Sequence, residues 1–152
     1  MIIKYDNIYS RFLQKIEDIE FLQLDKNTAY RKMAGWLNSA ISDPYVRRIF
    51  ETYELNDEIL ELWCTVRHAE DEVIDQQYVE EVLSLGMLVT WLESKVQSTV
   101  NIKQGLFGKE QKYYSQAAHL EQIRGLFENC QTRLRRMISD RGYMRNSWLE
   151  MS

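Results

Sequence analysis

A chain of 152 residues with a single proline, Pro44, and only six glycines offers few places where a helix must stop. Proline breaks a helical ladder by removing a donor and clashing with the preceding turn, and glycine weakens it through backbone entropy. Such sparse punctuation favours long helices and argues against an all-β sandwich, which needs many tight turns. The length suits one domain with a proper core and is short for two. With 45% hydrophobic and 28% charged residues the chain excludes wholesale disorder and collagen-like scaffolds. The expected fold is all-α, a single-domain bundle of about five helices with a long C-terminal helix and an extended loop before it. Residues 1–142 would form the helical domain and 143–152 a C-terminal docking tail.

The apolar spacing locates those helices. Ile8, Phe12, Leu13, Ile16, Ile19 and Leu22 recur at three- and four-residue steps and predict a helix over about Asp6–Leu22. Asp25 or Asn27 can cap a second helix carrying Met33, Trp36, Leu37, Ala40 and Ile41, which Pro44 should end. Residues 45–55 read equally as a short helix or a strand pair. Asn56 then looks like the cap of a helix burying Ile59, Leu60, Trp63 and Val66. After a polar stretch from His68 to Asp75, a long helix is expected to about Ser98, with Gly86 inside it marking close approach of another helix. The segment Asn101–Tyr114 reads as a loop, Ser115 as the cap of the last helix, about 116–140, and Gly142 as its closing residue. At 1.5 Å per residue that helix would be roughly 37 Å long.

Charge is divided along the chain. Residues 51–81 hold eleven acids and one base, a balance of −10, and residues 95–145 hold ten bases and four acids, a balance of +6. These can be two solvated faces that pair within the monomer. They can equally let the acidic flank of one copy meet the basic flank of the next, and head-to-tail contacts of that kind close into rings. The net charge of −4 disfavours unspecific binding to nucleic acid but leaves room for a local basic patch. Cys64 and Cys130 make no disulfide framework and read as buried thiols of a reducing compartment. The N-terminus has no apolar signal core, and no segment approaches the roughly 20 apolar residues of a membrane span. The expected setting is the cytoplasm, with no membrane partner.

Catalytic chemistry finds little support. His68 with Glu70, Asp71, Glu72 and Asp75 is the densest ionisable cluster, but its spacing matches neither a di-iron bundle nor a calcium loop. A solvated acidic helix end explains it better. His119 has no carboxylate or cysteine partner in sequence, and Gly105-x-x-Gly108-Lys109 lacks the spacing and the Ser/Thr of a phosphate loop. No nucleophile elbow or zinc pattern is present. The expectation is no enzyme, no metal and no cofactor. The basic flank of the last helix, Arg133, Arg135 and Arg136, followed by Arg141 and Arg145, exceeds what a helix C-terminus needs for its dipole. Arginine pairs carboxylates or phosphates through its planar fork and is enriched in interfaces. With Tyr143 and Trp148 beside it, this end looks built to dock a partner.

The stretch LGMLVTWLESKVQSTVNIKQGLFGKEQKYYSQAAHL from Leu85, with RRMISDRGYMRN near the C-terminus, resembles small helical proteins of tailed bacteriophages, the head–tail connector (adaptor) family. YRKMAGWLNSAI and VRRIF are similar in character. The resemblance implies a virion structural protein of the neck, made in the host cytoplasm. It would form a ring under the portal protein, extend the channel through which DNA passes without sequence readout, and dock a further neck or tail protein. Carried over, portal or partner binding falls on Arg141, Tyr143, Arg145, Asn146 and Trp148. Contact with a neighbouring copy or with the ring below falls on the loop Gly105, Leu106, Phe107, Gly108 and Lys109. The alternative is a cytosolic helical regulator that binds nucleic acid through its arginine-rich last helix. A third reading, an enzyme on the His68 cluster, would require a bound metal.

Overall fold

The structure, a computed structural model, describes the backbone of residues 1–16, 21, 23–105 and 110–144, with side chains to 98 and from 118 to 141. The described elements follow in order as β1 (Ile2–Lys4), α1 (Tyr5–Lys15), α2 (Lys26–Ser42), α3 (Pro44–Arg47), β2 (Phe50–Asn56), β3 (Glu61–Val66), α4 (Glu72–Gly105) and α5 (Glu110–Met144). The molecule is mostly helical with five helices among the described residues, as expected, but it is not all-α. Strands β1, β3 and β2 form a small antiparallel sheet in that order.

The sheet corrects a further expectation. The helix expected after Asn56 is a turn followed by β3. Leu62, Cys64 and Val66 alternate inward, and Trp63 turns outward at 43% exposure. That period-2 burial, in a β-branched and aromatic run, outweighs the helical spacing of Ile59, Leu60, Trp63 and Val66. Asn56 does use its side chain on the following backbone, accepting from Glu58 N and Ile59 N, yet it closes a hairpin turn instead of starting a helix. Leu60 holds the left-handed φ of 55° in that turn, and its carbonyl accepts from Tyr5 N at 3.0 Å. The third strand comes from the N-terminus, where the sequence predicts no element. Ile2–Lys4 pairs with β3, Ile2 opposite Trp63 and Ile3 opposite Leu62, so Ile3 enters the core. Residues 45–55 resolve into both options, a single helical turn at α3 and then strand β2.

Capping fixes the first half. Asp25 accepts from Thr28 N at 2.8 Å and starts α2, while Asp43 accepts from Tyr45 N at 2.7 Å with Pro44 at the first position of α3. Helix α1 ends at Lys15, shorter than its apolar spacing predicts, and Ile19 and Leu22 lie outside the described residues. Tyr5, Ile8, Tyr9 and Phe12 from α1 meet Met33, Leu37 and Ile41 from α2 in the core. Phe12, Phe21 and Trp36 form an aromatic triad with centroids 5.4–6.4 Å apart.

Helix α4 is the axis of the domain and packs against α1, α2, α3 and α5. Residues 82–88 are buried without interruption, so this helix is covered on all sides, not on one stripe. Gly86 is where α2 comes closest. A Cβ there would lie 2.9 Å from the Ala40 methyl, which is the close approach its sequence position predicts. The expected loop 101–114 is mostly helix. Helix α4 continues to Gly105 and α5 begins at Glu110, placing Ser115 and Gly142 inside α5. At 34 and 35 residues these helices measure about 51 and 52 Å, roughly twice the length of the 17-residue α2.

Candidate functional site

The basic end of α5 is held against the start of α4. Asp75, 4% exposed, lies in the first turn of α4, where a carboxylate is favoured by the helix dipole. It accepts from Glu70 N at 3.0 Å and forms an ion pair with the Arg141 guanidinium. Arg141 also donates to the His68 carbonyl at 3.3 Å and stacks over the Tyr78 ring at 4.1 Å. His68 holds a left-handed φ of 59°, a strained conformation for a residue with a Cβ. Arg141, which the resemblance assigns to partner binding, is therefore a clasp inside the monomer with its side chain 15% exposed.

Beside the clasp lies a cavity of about 240 Å³. Arg48, Arg67, His68 and Arg141 line it with polar side chains, Tyr45, Tyr78 and Ser139 lie between them, and Ile49 and Ile138 add apolar surface. Tyr45 and Ser139 hydroxyls are 2.6 Å apart and tie α3 to α5. Arg67 donates from Nε to the Phe50 carbonyl at 3.2 Å, and Arg48 lies 4.8 Å from the centre of the Tyr45 ring. The Tyr78 hydroxyl is buried with no hydrogen-bond partner among the described residues, and burial pushes its pKa up to about 12 against the pull of Arg141. Of these residues only His68 and Arg141 stand out in the sequence. Arg67 carries a usable signal, as the single base within an acidic run and next to His68.

The split charge is partly neutralised within the monomer. Arg11 bridges Glu80 and Glu81 at 3.1 Å each, and Lys15 reaches Glu81 at 2.8 Å, fastening α1 to α4. Burial raises the Glu81 pKa, but hydrogen bonds and attraction from Lys15 and Arg11 outweigh it and hold the carboxyl below its ordinary value. Other charges do not pair. Among the described residues Arg133, Arg135 and Arg136 have no ion-pair partner, and neither do Glu51, Glu54 and Glu58 on the β2–β3 hairpin. All six are exposed.

Of the remaining expected site residues, Gly105 is the last residue of α4 and Tyr143 lies within α5, with no side-chain geometry described for it. Leu106, Phe107, Gly108, Lys109, Arg145, Asn146 and Trp148 lie outside the described residues. Among the described residues no three of His, Cys, Asp and Glu are placed to hold a metal ion, and His119 is exposed. Burial pushes the Cys64 thiol up to about 11 and raises that of Cys130 as well, so neither is primed as a nucleophile. No described helix is long and apolar enough to cross a membrane. Compared with known proteins, the chain matches no protein-family model, no curated protein sequence and no solved structure.

Proposed function

We propose that this chain is a non-enzymatic assembly protein, a head–tail adaptor of a tailed bacteriophage that forms a ring under the portal. The ring would extend the DNA channel and dock the next neck or tail protein. The observation that carries this reading is the unpaired charge of opposite sign at two separate places. Arg133, Arg135 and Arg136 stand exposed on α5, and Glu51, Glu54 and Glu58 stand exposed on the hairpin. Charges with no ion-pair partner among the described residues are available to steer and register contacts between copies. The long hairpin of α4 and α5 supports the same reading, because paired helices of about 50 Å outreach the short helices packed on them. The portal-gripping role rests on Tyr143, Arg145, Asn146 and Trp148, since Arg141 is engaged internally.

Size-exclusion chromatography with light scattering, on the chain alone and mixed with portal, tests the proposal. Ring-sized assembly on the portal is expected, and its loss when Arg133, Arg135 and Arg136 become alanine. A chain that ignores portal under all conditions overturns it. The same three arginines support a second reading, binding to nucleic acid, which predicts steeply salt-dependent DNA affinity lost in the triple variant. A low-salt gel shift separates the two.

A further inference from the structure

We infer that the cavity between α3, the end of β3 and α5 binds a phosphate dianion, free or as the terminal monoester of a larger molecule. Charge is the first reason. Arg48, Arg67 and Arg141 all line it, and among the described residues only Arg141 of the three has a carboxylate partner, Asp75. Two positive charges are left over. A phosphate monoester carries about −1.5 to −2 near neutral pH and matches both, whereas a carboxylate or a phosphodiester would balance one.

Geometry is the second. The Nε–H of Arg67 is committed to the Phe50 carbonyl, which orients the guanidinium and leaves its two terminal nitrogens to donate. Arg48 is stacked beside Tyr45 at the same wall. Planar guanidinium groups recognise phosphate oxygens in bidentate fashion, so two of them around one cavity suit a tetrahedral anion. Tyr78 also lines the cavity, and the Arg141 guanidinium lies 4.1 Å from the centre of its ring, which fixes that charge at the wall. The left-handed backbone of His68 concentrates strain at the same wall, where its carbonyl meets Arg141.

Isothermal titration of the full chain with sodium phosphate, against sodium chloride of equal ionic strength, is the test. Saturable binding at one site is expected. The Arg48→Ala/Arg67→Ala variant should bind at least about tenfold more weakly. Its melting temperature without phosphate should fall only modestly, because both side chains are exposed and the loss is limited to the Arg67 Nε hydrogen bond to the Phe50 carbonyl and the Arg48 stack on Tyr45. Thymidine 5′-monophosphate should bind and a thymidine oligonucleotide lacking a terminal phosphate should not. The inference is overturned by absence of saturable binding up to roughly 10 mM phosphate. Equal affinity in the double-arginine variant, or equal affinity for the oligonucleotide, would overturn it too. Replacing Arg133 and Arg136, which do not line the cavity, should leave phosphate binding intact; loss of binding there would mean diffuse attraction and no site. That control also keeps the outcome separate from the fate of the adaptor proposal.

Discussion

Helices α4 and α5 are nearly equal in length and lie side by side, yet they are buried in opposite ways. Around residues 82–88 α4 is covered on every side, with Val82, Leu83, Leu85 and Met87 each at most 1% exposed. Helix α5 buries only Leu120, Ile123, Leu134 and Ile138 among its described side chains, and Leu126 is 55% exposed. The difference divides the labour of the chain. Helix α4 specifies how the domain packs, and α5 holds on through one stripe while most of its other described side chains stay exposed.

The most damaging way to break that arrangement is at the clasp. Asp75→Ala leaves the Arg141 guanidinium in a mostly buried place without its counter-charge and removes an acceptor from Glu70 N. Removing one partner of a buried pair costs about 3–5 kcal/mol. Urea denaturation should show a loss of that order, and exchange of the α5 C-terminal amides should rise more than that of α4. A loss below about 1 kcal/mol would mean that the stripe alone holds α5.

The next comparison sets two helical glycines against each other. In α4, Gly86→Ala would force a methyl to within 2.9 Å of the Ala40 methyl, separating α2 from α4. Overpacking of this kind costs about 1–3 kcal/mol, of which the gain in helix propensity returns up to about 1. In α5, a Cβ at Gly125 meets nothing within 4 Å, so Gly125→Ala should stabilise by up to about 1 kcal/mol. Opposite signs in the two melting curves are expected, and equal signs would contradict the difference in packing between the helices.

The sequence revealed α4 and Gly86 because the signal there is dense. The run Val82–Val89, apolar but for Ser84 and with Gly86 inside it, is what a helix packed on every side requires. The sheet was concealed because helical and strand periods both fit a short apolar run. Trp63 could have been core by one and surface by the other, and pairing with Glu54 across the hairpin and with Ile2, far away in the chain, decides it. The helical content of 101–105 and 110–114 was hidden for a different reason. Glycines and lysines read as a loop, but Gly105 is the last residue of α4 and Gly108 precedes α5, so the two strongest breakers interrupt neither helix. Of the candidate site, the three unpaired arginines were legible as a cluster, whereas the cavity was not. Its wall draws Arg48, Arg67, Tyr78 and Arg141 from four distant segments, and only the fold brings them together.

Acid should separate the two sides of α4 by the smallest effect. On one side Glu81 meets Arg11 and Lys15 of α1, and its pKa is held below the ordinary 4.5. A carboxyl with a folded pKa below its unfolded value stabilises fully above the unfolded value and loses that contribution as the pH falls through the folded one. Stability should therefore decline below about pH 4.5 in part because the α1–α4 fastening is released. Glu81→Gln removes this component at every pH, so its stability curve should run below the parent by less than about 1 kcal/mol at pH 7 and converge with it in acid. Arg133, Arg135 and Arg136, with no ion pair to lose, should give no such convergence when replaced. If the Glu81→Gln curve stays parallel to the parent down to acid pH, Glu81 contributes nothing specific, and α1 is held to α4 by its apolar face and the Arg11–Glu80 pair.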